Sequence, residues 1–342
     1  MPDIKIYIAA PSNYYSGGPE LLHQLCFKLR QHGYDAIMWY YNVIEGNNGI
    51  HPHFRHYNNP VRKFGDVCDV SRGHCVLPEV IVSKTVIDAL DNLGVQSIPW
   101  WLSVDNYCGL RGLPSDSDPD VGGLKYRQDI VHLVQSNYAM WFLREKMRIP
   151  ETIGAYYLKD YLRKEFFPEE EQDFFSSKAR LPIVLFNPSK GLEYIKKLHT
   201  CAQSRYAMGT MNWIPLVGMT PTQVMTAMRA ARLYVDFGHH PGMDRIPREA
   251  ASCGCCVITN RRGSAGFYED VPIPGLYKCD DSDENIPEIV SLMGDIMQNY
   301  DEHVGNFSHY RDFIRLQEKQ FEVDALRVFT EIVGPPVGAL QR

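Results

Sequence analysis

The stretch HPGMDRIPREAASCGCCVITN, residues 240 to 260, begins as a polar loop, continues as a short helix and ends as an apolar strand. It follows RLYVDFG, an apolar run typical of a strand. Pro247 suits the first turn of a helix and Gly254 suits its end. CCVITN has the apolar character of a buried parallel strand. This unit predicts a parallel sheet, with Glu249 in the first turn of a helix at the carboxyl edge of that sheet.

The same alternation of short apolar runs and amphipathic helical stretches extends over the whole chain and predicts an α/β protein. In the first half, we expect strands at IKIYIAA, DAIMWYY, EVIVS, SIPWWLSVD and DIVHLVQS. In the second half, we expect strands at LPIVLFN, NWIPLVG, RLYVDFG and CCVITN, followed by one long helix that ends near GPP. The stretch from 160 to 180 is acidic and aromatic without either periodicity, which is typical of a domain boundary.

Composition limits the classes of function. The chain has 342 residues, of which 44% are hydrophobic, and this length favours two domains. A net charge of -6 disfavours a large nucleic-acid surface and favours small-molecule chemistry. The nine cysteines have no paired CxxC spacing, and we find neither a signal peptide nor a membrane span. We therefore expect a soluble, cytoplasmic protein with reduced thiols.

The run from Pro241 to Ile258 resembles the motif E-G-F-G-L-x-x-L-E-A-x-A-x-G-x-P-V-I of nucleotide-sugar glycosyltransferases with the GT-B architecture, in particular the large retaining family, glycosyltransferase family 4. In this resemblance the second motif glutamate, which accepts hydrogen bonds from the ribose, falls on Glu249. The first, which contacts the sugar, falls on Pro241, and this chain departs from the motif there. Without the resemblance, Glu249 only complements a helix dipole, which contributes roughly 0.3 to 1 kcal/mol.

Other groups of the same loop are candidates to replace the first glutamate. They are the backbone amides around Gly242 and Met243, with the side chain of Asp244 or of His240. Arg245 and Arg248 add positive charge where the donor diphosphate would lie. Because the adjacent residues His239 and His240 point apart on an extended backbone, we expect one polar contact there and no metal site.

Two further loops match the family at corresponding positions. Gly17 and Gly18 lie between the first strand and the first helix, where the family has a Gly-Gly loop that lets backbone amides approach a phosphate. In LFNPSKG, Lys190 matches the lysine that the family presents to the diphosphate, and Asn187 replaces its arginine. Arg245 then supplies the missing charge. On spacing alone, Lys190 is equally a solvated turn lysine and Gly17-Gly18 only a turn.

The remaining motifs are less specific. Asp105, in WWLSVDNY, matches the aspartate of a His-Asp pair in similar enzymes, or else closes an Asx turn. Ser136 resembles the family's strand-ending serine, or is only a helix N-cap. DSDPD at 116 to 120 reads as a solvated acidic loop. HPHFRHY at 51 to 57 and CDVSRGHC at 68 to 75 lack the paired spacing of zinc sites and are candidates for a loop on the acceptor side.

The resemblance implies two Rossmann-like domains that face each other across a cleft. It places an acceptor-side domain at 1–165, a donor-binding domain at 166–305, and a C-terminal helix at 306–342 that returns to the first domain. It implies sugar transfer from a nucleoside diphosphate sugar to an acceptor hydroxyl, with retention and without metal or cofactor. Lys190, Arg245 and the Gly17-Gly18 amides would stabilise the diphosphate, and Asp105 would be the base if the enzyme inverts.

The acceptor is a glycan, a lipid-linked glycan or a modified nucleobase, and neither it nor the oligomeric state follows from these motifs. The alternatives are a phage-type DNA-base glycosyltransferase, a non-catalytic nucleotide-sugar-binding protein of the same fold, and a nucleotide-sugar epimerase. Fold alone does not decide among them.

Overall fold

The computed structural model of the chain describes residues 4–43, 49–63, 70, 72–107, 110, 118–120, 122–168 and 175–336. The chain divides into two compact units. Unit 1 comprises Met1–Tyr161 and Glu318–Arg342, and unit 2 comprises Leu162–Gln317. These units are defined by how compactly the chain packs. The boundaries at 165/166 and 305/306 concern functional domains and remain predictions. No helix in the described part of the chain is long and apolar enough to cross a membrane.

Unit 1 contains a sheet of seven parallel strands in the order β3-β2-β1-β4-β5-β6-β7. The strands are β1 Lys5–Pro11, β2 Ala36–Tyr41, β3 Val61–Lys63, β4 Gly73–Pro78, β5 Val95–Trp101, β6 His132–Val134 and β7 Ala155–Tyr157. The helices are α1 Gly17–Gln31, α2 Lys84–Asn92 and α3 Asn137–Trp141. The strand order reverses between β1 and β4. Open α/β sheets bind ligands at such a reversal, outside the carboxyl ends of the strands.

The core of unit 1 lies on both faces of this sheet, because its central strands are apolar on both sides. One cluster packs alternate residues of β1, such as Ile6 and Ile8, against α1 and against Phe321 and Val328 near the end of the chain. The other cluster packs the opposite face of the sheet, including Tyr7, against α2 and α3. The two clusters hold the sheet rigid, so that the loops at its carboxyl edge have a fixed base.

Unit 2 contains a sheet of four parallel strands in the order β11-β10-β8-β9. The strands are β8 Leu181–Phe186, β9 Asn212–Pro215, β10 Ala231–Asp236 and β11 Cys256–Thr259. The helices are α4 Leu192–Arg205, α5 Pro221–Ala230, α6 Arg245–Ser252, α7 Ile286–Gln298, α8 Tyr300–Gly305 and α9 Ser308–Val333, whose residues from 318 belong to unit 1. Cys253, Cys255 and Cys256 are fully buried in the core, where they fill space as small apolar groups.

Two expected elements differ from the structure. The predicted strand EVIVS is wrong: the strand is GHCVLP, one run upstream, and Glu79–Ile81 is a 3-10 turn. Gly73 and His74 are not typical strand residues, so the apolar pattern does not predict a strand here. A Cβ atom on Gly73 would lie 2.2 Å from the Lys5 carbonyl oxygen, so the close approach of β4 to β1 requires glycine. The expected C-terminal helix is interrupted at 306 and 307, which separate α8 from α9.

Candidate functional site

Two glycines bring the loops after β8 and β10 into contact. Gly191 has φ +63°, and a Cβ atom there would lie 2.4 Å from the Phe237 carbonyl oxygen. A Cβ atom on Gly238 would lie 2.3 Å from Cβ of Lys190. Only residues without a side chain allow the two backbones to come this close. As a result, Lys190 lies beside the loop that leads into α6.

Lys190, Asp244 and His240 form one ion-pair network in that position. Lys190 Nζ is 2.5 Å from Asp244 Oδ2, and His240 Nδ1 is 2.9 Å from the same oxygen. Burial by itself lowers the pKa of His240, but the hydrogen bond that His240 donates to Asp244 and the charges of Asp236 and Asp244 outweigh burial and raise this pKa. Burial raises the pKa of Asp244, but His240 and Lys190 together lower this pKa by a larger amount, so the net shift is downward. The carboxylate of Asp244 therefore stays ionised and fixes the position of the lysine ammonium.

Asp236, at the end of β10, anchors the other side of His240. Its carboxylate accepts hydrogen bonds from the Tyr234 hydroxyl (2.8 Å) and from the Gly238 backbone (3.1 Å), and Oδ1 lies 3.7 Å from His240 Nε2. Asp236 is not among the residues expected from sequence, although the polar end of RLYVD is a usable signal. Among the described residues, Asp236, His240 and Asp244 form a group whose potential metal ligands all lie within 4.8 Å of one another.

Glu249 lies close to Arg245, one helical turn away. Arg245 Nε is 3.6 Å from Glu249 Oε1, and both side chains are largely buried. The expectation that Glu249 occupies the first turn is wrong: it is the fifth residue of α6, because the helix begins at Arg245 and not at Pro247. Burial raises the pKa of Glu249, although the charges of Arg245, Arg248 and Arg163 oppose this shift. Glu249 is therefore a largely buried, ion-paired carboxyl and not an exposed charge at a helix terminus.

Arg248 supports the whole loop from inside. It is fully buried, and its guanidinium donates hydrogen bonds to the carbonyls of Asp244 (3.2 Å) and Met243 (2.9 Å) and to Gln317 Oε1 (2.9 Å). Its five N–H donors match several carbonyls at once. The sequence suggested only a phosphate-binding charge for this residue, because burial of an arginine leaves no mark in the residue pattern.

The remaining predicted residues of unit 2 lie in the same two loops. Asn187 closes an Asx turn after β8, in which Oδ1 accepts the Ser189 backbone N–H at 3.0 Å. The Gly242 carbonyl accepts a hydrogen bond from Ser264 Oγ at 2.5 Å. Met243 is buried and contacts Gln317. Asn187 therefore shapes the loop that carries Lys190.

In unit 1, the predicted residues lie at the carboxyl edge of the seven-stranded sheet. Gly17 and Gly18 are the first two residues of α1, after β1. Asp105 lies in a 3-10 turn after β5, and its Oδ1 accepts a hydrogen bond from the Tyr138 hydroxyl at 3.0 Å. Ser136 is an N-cap, since its hydroxyl accepts the Ala139 N–H at 3.0 Å.

Glu79 is a buried carboxyl at the same edge, just after β4. Its Oε2 accepts the Leu102 N–H at 3.0 Å, and a Cβ atom on Gly18 would lie 3.8 Å from Leu102 Cδ1. Burial raises the pKa of Glu79 to about 7, although backbone hydrogen bonds, including that from Leu102, oppose the shift. In the sequence Glu79 falls in the expected strand EVIVS, and its burial has no local signal there.

Comparison with solved structures gives the fold. HepE from Anabaena, solved in complex with UDP, is 10% identical and matches 96% of this chain and 100% of its own, with a TM-score of 0.65. The chain has the GT-B fold. This confirms the expected α/β GT-B architecture.

Two more solved GT-B structures are similar to this chain. Sucrose-phosphate synthase from Thermosynechococcus elongatus is 11% identical over 96% of this chain and 99% of its own, with a TM-score of 0.68. WaaG, a glycosyltransferase of lipopolysaccharide biosynthesis, is 10% identical over 97% and 100%, with a TM-score of 0.57. No family model matches the sequence, and no curated protein matches it. Within the GT-B fold, its Lys190–Asp244–His240 network and Arg245–Glu249 pair lie at the carboxyl edge of the unit 2 sheet.

Proposed function

We propose that this protein is a glycosyltransferase that moves a sugar from a nucleoside diphosphate sugar to an acceptor hydroxyl, and that unit 2 binds the donor. The observation that carries the proposal is the position of Lys190, Arg245 and Glu249 together at one sheet edge in a GT-B fold. Open parallel sheets bind ligands at this edge. HepE, which shares the fold, has been solved with UDP and with UDP and glucose.

Each group has a distinct role in this proposal. Lys190 and Arg245 bind the diphosphate and stabilise the negative charge that grows on it as the sugar leaves. Glu249 accepts hydrogen bonds from the ribose hydroxyls. Asp244 keeps Lys190 in a fixed position, so little reorganisation accompanies the reaction. His240 and the 242–243 backbone contact the sugar in place of the motif glutamate that Pro241 replaces.

The proposed stereochemical outcome is retention. The leaving phosphate then takes the acceptor proton on the same face of the sugar, and the protein supplies no base. If the enzyme inverts, Asp105 is our candidate base, with Tyr138 holding its carboxylate. The anomeric proton coupling of the glycoside product, measured by NMR and compared with that of the donor, distinguishes the two outcomes.

A thermal-shift screen tests donor binding. Wild type, Glu249→Ala and the matched control Glu193→Ala, an exposed glutamate on α4, are melted with UDP, GDP, ADP, CMP, dTDP and their sugars. A ligand at 100 times its Kd contributes about 2.7 kcal/mol. We expect one nucleotide to stabilise wild type and Glu193→Ala but not Glu249→Ala. If no nucleotide stabilises wild type, or if a folded Glu249→Ala responds fully, the assignment of unit 2 as donor site is wrong.

Pro241 favours one second candidate, a non-catalytic protein that binds a nucleotide sugar. The position that contacts the sugar in the resembling family has no carboxylate here. Nucleotide binding without hydrolysis or transfer, in an assay with radiolabelled donor and acceptor mixtures, would identify this candidate. Transfer to any acceptor would exclude it.

The proposal includes a metal-independent reaction and a cytoplasmic location. Seven cysteines in the described part of the chain are free, and five of them are buried, which fits a reducing compartment. The acceptor is a glycan, a lipid-linked glycan or a modified nucleobase, the last being the substrate of a phage-type DNA-base transferase.

A further inference from the structure

Three rings stack at the surface of unit 1. The Tyr15 ring lies 4.5 Å from that of His53 and 5.4 Å from that of His51, centroid to centroid, with interplanar angles of 28° and 20°. The two imidazoles are 5.4 Å apart and nearly parallel, at 12°. Tyr15 is 39% exposed and His53 is also exposed. We refer to Tyr15, His51 and His53 as the ring platform.

A buried aromatic layer supports the ring platform. Phe54 is 2% exposed and contacts Tyr15, and on its other side it stacks on His23 at 4.5 Å. His23 is fixed by the Tyr40 hydroxyl at 2.8 Å and by Asn59. The exposed rings therefore stand on packed, hydrogen-bonded groups and have little freedom to lose when a ligand binds.

The ring platform lies at the carboxyl edge of the unit 1 sheet. Tyr15 follows β1 and precedes Gly17, while the two histidines follow β2. The Asn13 backbone N–H donates to the Gly49 carbonyl at 2.8 Å, which joins the two loops. This edge is where a parallel sheet presents its ligand-binding loops.

The described segments that carry the ring platform have positive but no negative side chains, and the nearby Glu20 of α1 is buried and accepts a hydrogen bond from the Tyr57 hydroxyl. Residues 49–63 contain Arg55, Arg62, Lys63 and three histidines but no aspartate or glutamate, and residues 10–18 contain no charged side chain. His51 Nδ1 accepts the His53 backbone N–H at 3.3 Å, so the neutral imidazole carries its proton on Nε2 and is a donor there. Arg55 is exposed and lies in the same 3-10 helix as His53, Pro52–Tyr57. These groups can donate hydrogen bonds to a carboxylate or a phosphate.

We propose that the ring platform binds a sugar ring of the acceptor that carries an anionic group, either a uronate carboxylate or a phosphate ester. The flat exposed ring matches the apolar C–H face of a pyranose, and Arg55 with His51 matches the anion. The inference rests on the proposed function only in calling the bound sugar an acceptor. The binding itself does not require transfer.

Saturation-transfer NMR on the full chain tests the binding. The probes are methyl β-D-glucuronide, glucose 6-phosphate, neutral methyl β-D-glucoside and a single-stranded thymidine octanucleotide. We expect one of the anionic sugars to bind, and Tyr15→Ala to weaken it by about tenfold. Tyr14→Ala is the matched control, since Tyr14 is exposed by 58% and lies next to Tyr15 in the chain. It leaves binding unchanged.

A second pair of variants isolates the anion. Arg55→Gln weakens the anionic sugar by about three- to tenfold and leaves the neutral glucoside unaffected. Arg72→Gln, at the opposite end of the sheet just before β4, changes neither. The uronate and phosphate probes decide which anion is bound.

Three results overturn the inference. The first is equal binding of neutral and anionic sugars. The second is Tyr15-dependent binding of the oligonucleotide in preference to every sugar. The third is the absence of Tyr15-dependent binding of an anionic sugar, both in the NMR experiment and on an array of uronate- and phosphate-bearing glycans. Failure of the donor proposal is separate, because it shows as a missing nucleotide thermal shift. Sugar binding to the ring platform is measured without any nucleotide.

Discussion

The carboxyl edges of the two parallel sheets use similar backbone positions for different surfaces. In unit 2, Lys190, Asp244 and His240 form a partly buried ion-pair network, and Arg248 supports its loop. In unit 1, the corresponding edge presents stacked rings and a buried carboxyl, that of Glu79. In the proposed function the first surface binds a diphosphate, and in the further inference the second binds a sugar ring. Both edges end parallel strands, so the difference between the two surfaces lies in their loops.

The largest expected effect comes from removing the support of the unit 2 loop. Arg248→Met leaves the carbonyls of Asp244 and Met243 without their donor and should lower the free energy of unfolding by about 4 kcal/mol. Urea denaturation measures this change. Arg262→Met, at a side chain that is 58% exposed, is the control and should change stability by less than about 1 kcal/mol. If Arg248→Met also changes the free energy of unfolding by less than about 1 kcal/mol, Arg248 does not stabilise the unit 2 loop.

The next effect concerns the buried carboxyl of unit 1. Because the folded pKa of Glu79, about 7, lies above its ordinary value of 4.5, the folded protein binds this proton more tightly than the unfolded chain. The associated stability is fully present below pH 4.5 and is lost as pH rises through 7, by at most roughly 3 kcal/mol.

Glu79→Gln keeps an oxygen acceptor for the Leu102 N–H and has no charge to bury. Its free energy of unfolding should therefore exceed that of wild type above pH 7 and match it near pH 5. The exposed Glu151→Gln serves as control. If wild type and Glu79→Gln have parallel stability curves from pH 5 to 8, Glu79 does not titrate in this range.

A smaller effect is expected at the lysine of unit 2. Lys190→Gln removes one charge-assisted contact to the diphosphate and should weaken nucleoside diphosphate binding by about 2 kcal/mol, or about 30-fold. Binding of the corresponding nucleoside should change little. Isothermal titration measures both, with Lys196→Gln on the exposed face of α4 as control. Equal loss for nucleoside and diphosphate would place Lys190 away from the phosphates.

The smallest expected effect is that of metal removal. The potential ligand atoms of Asp236, His240 and Asp244 lie within 4.8 Å of one another, but the Lys190 ammonium already neutralises Asp244 at 2.5 Å. EDTA should therefore change nucleotide affinity by less than about twofold, and added Mn²⁺ or Zn²⁺ should not restore a Lys190→Gln variant. Metal-dependent binding that disappears in His240→Gln would show that this group holds an ion.

Much of the fold was predictable from local sequence. The strands of unit 2 follow from apolar runs, and the helix start at Pro221 follows from the capping residue Thr220. Gly17 and Gly18, expected in a loop before the first helix, are instead its first two residues. Local strand propensity fails at EVIVS, which is not a strand. Strand propensity at 79 to 83 was high, but the strand formed where Gly73 lets β4 approach β1. A contact between two chain segments thus outweighed a local preference.

Local sequence specifies the α/β class, the loops that carry the candidate site and the residue types in them, because strand and helix periodicity and glycine spacing are local properties of the chain. Which charges meet depends instead on how distant segments pack. Lys190 and Asp244 are far apart in sequence and joined by one ion pair, while Arg248 and Glu79 owe their burial to packing. The ring platform likewise joins Tyr15 to His51 and His53. The physical reason is that burial and ion pairing depend on which distant segments come together, and no short stretch of sequence encodes this.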